Sequence, residues 1–268
     1  MKNILLLVHD DAGQEARLQT ALDLTRGLAG HLTCIDVVQL PALIGADAYS
    51  GAAQAMLIAD EREREAGNAA TVKARLANED VSWNWKDATG DMAQAVIEAA
   101  DVADLIVVNR DLDSVSSIDM RGIAAKVATR SRQPIVAVPE HQNGFPVNGR
   151  ALIAWDGSAS VNATMRACVP LLKLASAVHI FTAIDGAEGI DPEEAATYLS
   201  RHDIYPSIRR IEDGLNAPDH LIAEEARIWN ADYCLMGAYN HGRLAEAIFG
   251  GVTRRMLNSS ALPLVMGH

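Results

Sequence analysis

An internal repeat constrains this chain more than any other feature. Residues 4–10 read Ile-Leu-Leu-Leu-Val-His-Asp and residues 151–156 read Ala-Leu-Ile-Ala-Trp-Asp, each a β-type run ending in an aspartate. Helical patterns follow both, over 16–28 and 163–174. Further on, 103–108 (Ala-Asp-Leu-Ile-Val-Val) parallels 231–236 (Ala-Asp-Tyr-Cys-Leu-Met), and 133–138 parallels 262–266 around Pro134 and Pro263. The same landmarks in the same order at the same spacing read as two copies of one unit. Between the copies, 140–149 is rich in Gly, Asn and Pro and reads as a linker. The expected domains are 1–140 and 150–268.

Within each copy, short apolar runs alternate with amphipathic stretches. In the second copy strands are expected near 151–155, 178–183, 207–211, 232–236 and 263–266, with helices near 158–174, 191–202, 217–229 and 251–259. Asp191-Pro192-Glu193-Glu194 supplies an N-cap, a proline at the first helical position and two acids for the helix dipole. In the first copy strands are expected near 3–8, 31–37, 81–86, 104–108 and 134–138. A longer helix is expected over about 51–77, with Glu61-Arg62-Glu63-Arg64-Glu65 as a solvated face. Strands alternating with helices give parallel βαβ units covered on both faces. The expected class is therefore α/β, each unit a five-stranded parallel sheet with helices on both sides.

With 49% apolar and 22% charged residues, the chain can bury a substantial core. It holds no long apolar stretch of membrane-spanning length, and Met1 leads directly into a strand-like run, so a cytoplasmic protein with no membrane role is expected. A net charge of −12 argues against a nucleic-acid surface. Cys34, Cys168 and Cys234 lie on apolar segments without metal-ligand spacing and read as reduced core residues.

The chemistry-bearing stretch is 234–266. An apolar run ends at Gly237, a loop carries Asn240, His241 and Arg243, and Gly250-Gly251-Val252-Thr253 opens a helical pattern. Strand, small-residue loop and helix start in that order form a candidate anion cradle, because the first backbone N–H groups of a helix are unpaired and its dipole favours negative charge. Open parallel sheets take ligands beyond the carboxyl ends of their strands, where strand order reverses. There Asp156 and Gly237 would line one crevice, with Asp156 facing ribose hydroxyls or a base amino group.

This pattern resembles the universal stress protein family in its tandem form, over essentially the whole chain. The family signature is Gly, two residues, Gly, nine residues, Gly, then Ser or Thr. Here it runs Gly237, Asn240, Gly250, Gly251, followed by Val252-Thr253, while Asp156-Gly157-Ser158 matches the Asp-Gly-Ser after the first strand. The resemblance implies a Rossmann-like fold of the adenine nucleotide alpha hydrolase type. It also implies ATP or a related adenine nucleotide, with Mg2+, held by Ala154, Trp155, Asp156, Met236, Gly237, Asn240, His241, Arg243, Gly250, Gly251, Val252 and Thr253. It further implies that the two units dock as a pseudo-dimer through 135–138 and 264–266, with homodimerisation open. Asn240 stands where the family has glycine, though Asn tolerates a left-handed backbone best after Gly. Gly251 replaces a phosphate-touching hydroxyl but keeps its N–H.

The first copy is the poorer ligand site. Asp10 keeps a strand-end carboxylate, but Asn109 stands where Gly237 does, and the loop 110–119 sets three acids against Arg110. Gly122 alone remains at its helix start. Arg254 and Arg255 are expected to face solvent, and Trp155 either stacks on a base or packs in the core. His9-Asp10-Asp11 mimics a metal motif, yet consecutive residues cannot converge on one ion from a strand end. The leading expectation is a cytoplasmic stress-response module that binds ATP-type nucleotide in its second half, read by an unknown protein partner, with the first half as pairing surface. The alternatives are a nucleotide-free scaffold and a slow metal-dependent ATPase using Asp156. No nucleophile–base pair is visible.

Overall fold

The computed structural model describes residues 1–39, 51–110, 118–183, 189–212, 215–238 and 251–268, leaving aside the side chains of 51–54. The first half runs β1 (Asn3–Val8), α1 (Gln14–Gly27), β2 (His31–Gln39), α2 (Gly51–Leu76), β3 (Ser82–Gly90), α3 (Met92–Ala99), β4 (Leu105–Arg110), α4 (Met120–Arg130) and β5 (Ile135–Pro139). The second runs β6 (Arg150–Ala154), α5 (Ala159–Ala167), α6 (Val169–Leu172), β7 (Ala177–Ala183), α7 (Pro192–Ser200), β8 (Ser207–Ile211), α8 (Pro218–Ile228), β9 (Tyr233–Gly237), α9 (Gly251–Ser259) and β10 (Leu264–Gly267).

The strands form one ten-stranded sheet in the order β3-β2-β1-β4-β5-β10-β9-β6-β7-β8. Each half is parallel within itself, as expected, but the two sheets are continuous. β5 and β10 pair antiparallel, with Val265 opposite Val136. Both strands are buried throughout and would otherwise leave unpaired apolar edges. The outermost strands are chemically different. β3 exposes Lys86 and Asp87, and β8 exposes Arg209 and Arg210, charges that discourage further strand addition.

Side chains alternate across the sheet. Ile4, Leu6 and Val8 pack in one core layer with residues of α1, α2, α5, α6 and α7. Leu5 and Leu7 pack in the other with residues of α3, α4, α8 and α9. Helix starts follow local chemistry: Asp91, Asp119, Ser158 and Asp191 each cap a helix through a backbone N–H, a contribution of about 1 kcal/mol apiece. The helix expected over 158–174 breaks at Cys168 because Pro170 has no N–H for the carbonyl of residue 166. The linker is anchored: Phe145 is buried, its N–H donates to Asp23 Oδ2 at 2.9 Å, and its ring lies 4.9 Å from that of Tyr233.

The repeat can now be put in register. Asp104 N–H donates to Asn3 O and its carboxylate accepts the Asn3 amide; Asp232 makes the same pair of contacts with Arg150. Asn3 therefore corresponds to Arg150. Counting along both strands places His9, not Asp10, at the position of Asp156.

Candidate functional site

Ala154 on β6 pairs with Met236 on β9, so the two strands end side by side where the chain order reverses. Asp156 and Gly237 follow directly and stand at adjacent strand tips. Asp156 is exposed, and its Oδ1 accepts the Ser158 N–H at 3.0 Å, which shapes the turn into α5. Ser158 Oγ caps α5 by accepting the Val161 N–H and lies 2.9 Å from Ser160 Oγ. Gly237 is required by this packing. A Cβ there would stand 2.5 Å from Ser160 Oγ and 2.8 Å from the Val161 amide nitrogen. Gly157 adopts a positive φ of 72° and accepts the Ile190 N–H at 2.9 Å, closing the crevice on that side.

The remaining expected ligand residues divide. Trp155 is a core residue: it is buried among aliphatic neighbours and its Nε1 donates to Ile190 O at 2.8 Å. Its ring is therefore committed to packing. Ala154 and Met236 are buried in the opposite layer and support the strand tips from below. Gly251 opens α9 and is exposed, Val252 is half-buried and Thr253 is buried. Arg254 and Arg255 are both exposed as expected, and Arg255 also donates through Nε to the buried Asp219 at 2.6 Å. Asn240, His241, Arg243 and Gly250 lie outside the described residues.

The equivalent crevice of the first half is filled. Arg17 is fully buried and donates to Leu7 O and His9 O, both at 3.0 Å, to both carboxylate oxygens of Asp11, and to Asn109 Oδ1. Gly13 packs under the Asn109 amide, so closely that no Cβ fits. The second half reverses this pair, with Ser160 against Gly237. Arg110, read from the sequence as a loop charge, instead ends β4 and donates to carbonyls at and just past the end of α9.

A second cluster lies at the tip of β1. His9 approaches Glu65 of α2, with Nδ1 2.8 Å from Oε1 and both residues buried. The 61–65 stretch is therefore not uniformly solvated. Burial works to raise the Glu65 carboxyl, but His9 overrides it and the group ends below its ordinary range. Asp36 on β2 faces Glu65; burial, then the Glu65 charge, push its carboxyl up to about 7. A carboxylate spacing of four on α2 was the available sequence signal, but nothing local ties it to His9. The three cysteines are buried and unbridged, and burial pushes each thiol up to about 12, which removes thiolate chemistry.

No family model matches the chain, and no curated protein matches it in sequence. Solved structures do match. The fold is similar to a universal stress protein from Archaeoglobus fulgidus, with a TM-score of 0.77 at 16% identity, covering 99% of this chain and 95% of that one. It is also similar to a functionally unknown protein from Pseudomonas aeruginosa, with a TM-score of 0.58 at 16% identity, covering 100% of this chain and 92% of that one. Among the described residues no helix is long and apolar enough to cross a membrane. The fold is that of the universal stress proteins, with its βαβ unit used twice in one chain.

Proposed function

We propose that residues 150–268 bind an adenine nucleotide of the ATP type, with Mg2+ on its phosphates, and that residues 1–140 serve as the structural pairing partner. The observation that carries this reading is the contrast between the two crevices. At the switch point of the second half, exposed Asp156 stands beside a glycine-lined strand tip. At the same point of the first half Arg17 and Asn109 fill the space. Asp156 offers a carboxylate for ribose hydroxyls, and α9 directs its N-terminus, from Gly251, toward the phosphate end. Hydrolysis is slow in this reading, because among the described residues no activated nucleophile stands at the strand tips. Nucleotide would act by favouring one conformational state of the second half, which a protein partner in the cytoplasm then reads.

Isothermal titration of the full chain with ATP and AMP tests this. One saturable site per chain, lost in Gly250→Glu with folding intact, is the expected result. The absence of heat with either nucleotide would overturn it. A nucleotide-free scaffold is the second reading, favoured by the commitment of Trp155 to Ile190 and of Arg255 to Asp219.

A further inference from the structure

Where the second half carries Asp156, the first carries a histidine, and the structure surrounds it with carboxylates. Glu61 and Glu65 are one turn apart on the same face of α2. One ligand atom from each of His9, Glu61 and Glu65 lies within 4.8 Å of the other two. His9 is fully buried, and although Nδ1 comes within 2.8 Å of Glu65 Oε1, neither ring nitrogen makes a well-directed hydrogen bond among the described residues. Asp36, only 5% exposed, brings a further carboxylate against Glu65, and its Oδ1 has no hydrogen-bond partner among the described residues. Unpartnered polar atoms in such a setting are costly unless something neutralises them.

The cation at hand does not do so fully. Arg64 Nη2 lies 2.8 Å from Glu61 Oε1 and 3.4 Å from Glu65 Oε1, and Nη1 lies 3.8 Å from Asp10 Oδ2. One partly exposed guanidinium thus serves three carboxylates, and among the described residues no ion pair reaches Asp36. A divalent ion would satisfy the imidazole and the acids together.

We infer that His9, Glu61 and Glu65, beside the buried carboxylate of Asp36, form a site for a divalent transition-metal ion of the Zn2+ or Mn2+ kind. One imidazole with carboxylates and no thiolate suits those ions; the nitrogen donor counts against Ca2+ and Mg2+, which take oxygen. Donors about 2.1 Å from one ion stand at most about 4.2 Å apart, so the trio need draw in by no more than roughly half an ångström. Glutamate side chains on one helix face can make that adjustment. The bound ion would fasten α2 to β1 and β2, a role independent of nucleotide in the second half.

The test uses the full chain, stripped with EDTA and titrated with Zn2+ and with Co2+ as a spectroscopic substitute. Bound metal is counted by atomic emission, and thermal unfolding is followed in parallel. The expected result is one ion per chain, a Co2+ spectrum of nitrogen and oxygen ligation, and a higher melting temperature. His9→Gln and Glu65→Gln should each weaken binding at least about 100-fold, since even outer-shell changes at metal sites cost 10–100-fold. Glu61→Gln, at a partly exposed position, serves should the buried variants fail to fold. His141→Gln, at an exposed histidine, should bind as before. No stoichiometric uptake, or uptake unchanged in His9→Gln and Glu61→Gln, would overturn the site and leave a pure ion-pair network.

Discussion

Arg110 Nη1 lies 2.8 Å from the carbonyl oxygen of Leu257, joining the end of a strand in the first half to the last turn of a helix in the second. The same guanidinium reaches Met256 O, Ser260 O and Leu262 O. Helix C-termini present unpaired carbonyls and partial negative charge, and this buried cation answers both. Burial lowers its pKa to about 10, which still leaves it charged at neutral pH.

Removing that cation should expose the cost of unpaired carbonyls. Arg110→Met is expected to destabilise the chain by on the order of 3 kcal/mol in urea unfolding, because buried acceptors lose their donor. Arg110→Lys should recover part of the loss, since one ammonium cannot reproduce the planar fork. Unchanged stability in Arg110→Met would show the contacts to be incidental.

The paired glycine exchange between the halves makes a second prediction. Gly13→Ser alone should cost roughly 1–3 kcal/mol, because its Cβ would collide with the Asn109 amide. In Gly13→Ser with Asn109→Gly, which copies the Ser160 and Gly237 arrangement, the loss should be smaller than the sum of the single changes. A double-mutant cycle reads this directly. Additive losses would mean that the two positions do not share one packing constraint.

Asp156 is exposed, so its chemistry can be altered without disturbing the core. Asp156→Asn keeps an oxygen for the Ser158 N–H and should leave the melting temperature unchanged. ATP affinity should fall about tenfold, corresponding to the roughly 1.4 kcal/mol of a charge-assisted hydrogen bond. Calorimetry of wild type and variant distinguishes this from a carboxylate that only shapes the turn.

His179 provides a pH-dependent prediction. Its Nδ1 lies 2.7 Å from Ser207 Oγ and its Nε2 3.1 Å from Glu225 Oε1, while Arg209 pairs with the same carboxylate. Burial, the largest influence, holds the imidazole below its ordinary 6.5 despite Glu225. Below pH 6.5 the unfolded chain therefore binds the proton more readily, and this residue's contribution to stability is lost as pH falls. His179→Gln should flatten the melting-temperature profile between about pH 5 and 6.5. An unaltered slope would assign the pH dependence elsewhere.

Much of the architecture was legible because its determinants are local. Apolar runs bounded by Gly, Pro and Asp placed the strands to within a few residues, and the Asp191-Pro192 cap placed the start of α7. The switch-point rule would bring Asp156 and Gly237 together if the first and fourth strands of the second copy were neighbours, and β6 does pair with β9. Trp155 was ambiguous from the sequence: an indole at a strand end can face ligand or core, and the bond to Ile190 O decides for the core.

What the chain alone determined was the alternation of strands and helices, the duplication and the strand-tip residues of the second half. Each depends on periodicity or on chemistry within a few positions. Tertiary structure alone decided that Arg17 fills one crevice, that Arg110 crosses to α9, and that Glu65 leaves an otherwise charged helix face to meet His9. Those outcomes join residues tens to well over a hundred positions apart. Their side chains find partners only after sheet register and helix packing have set which elements meet, so no local pattern could have named them.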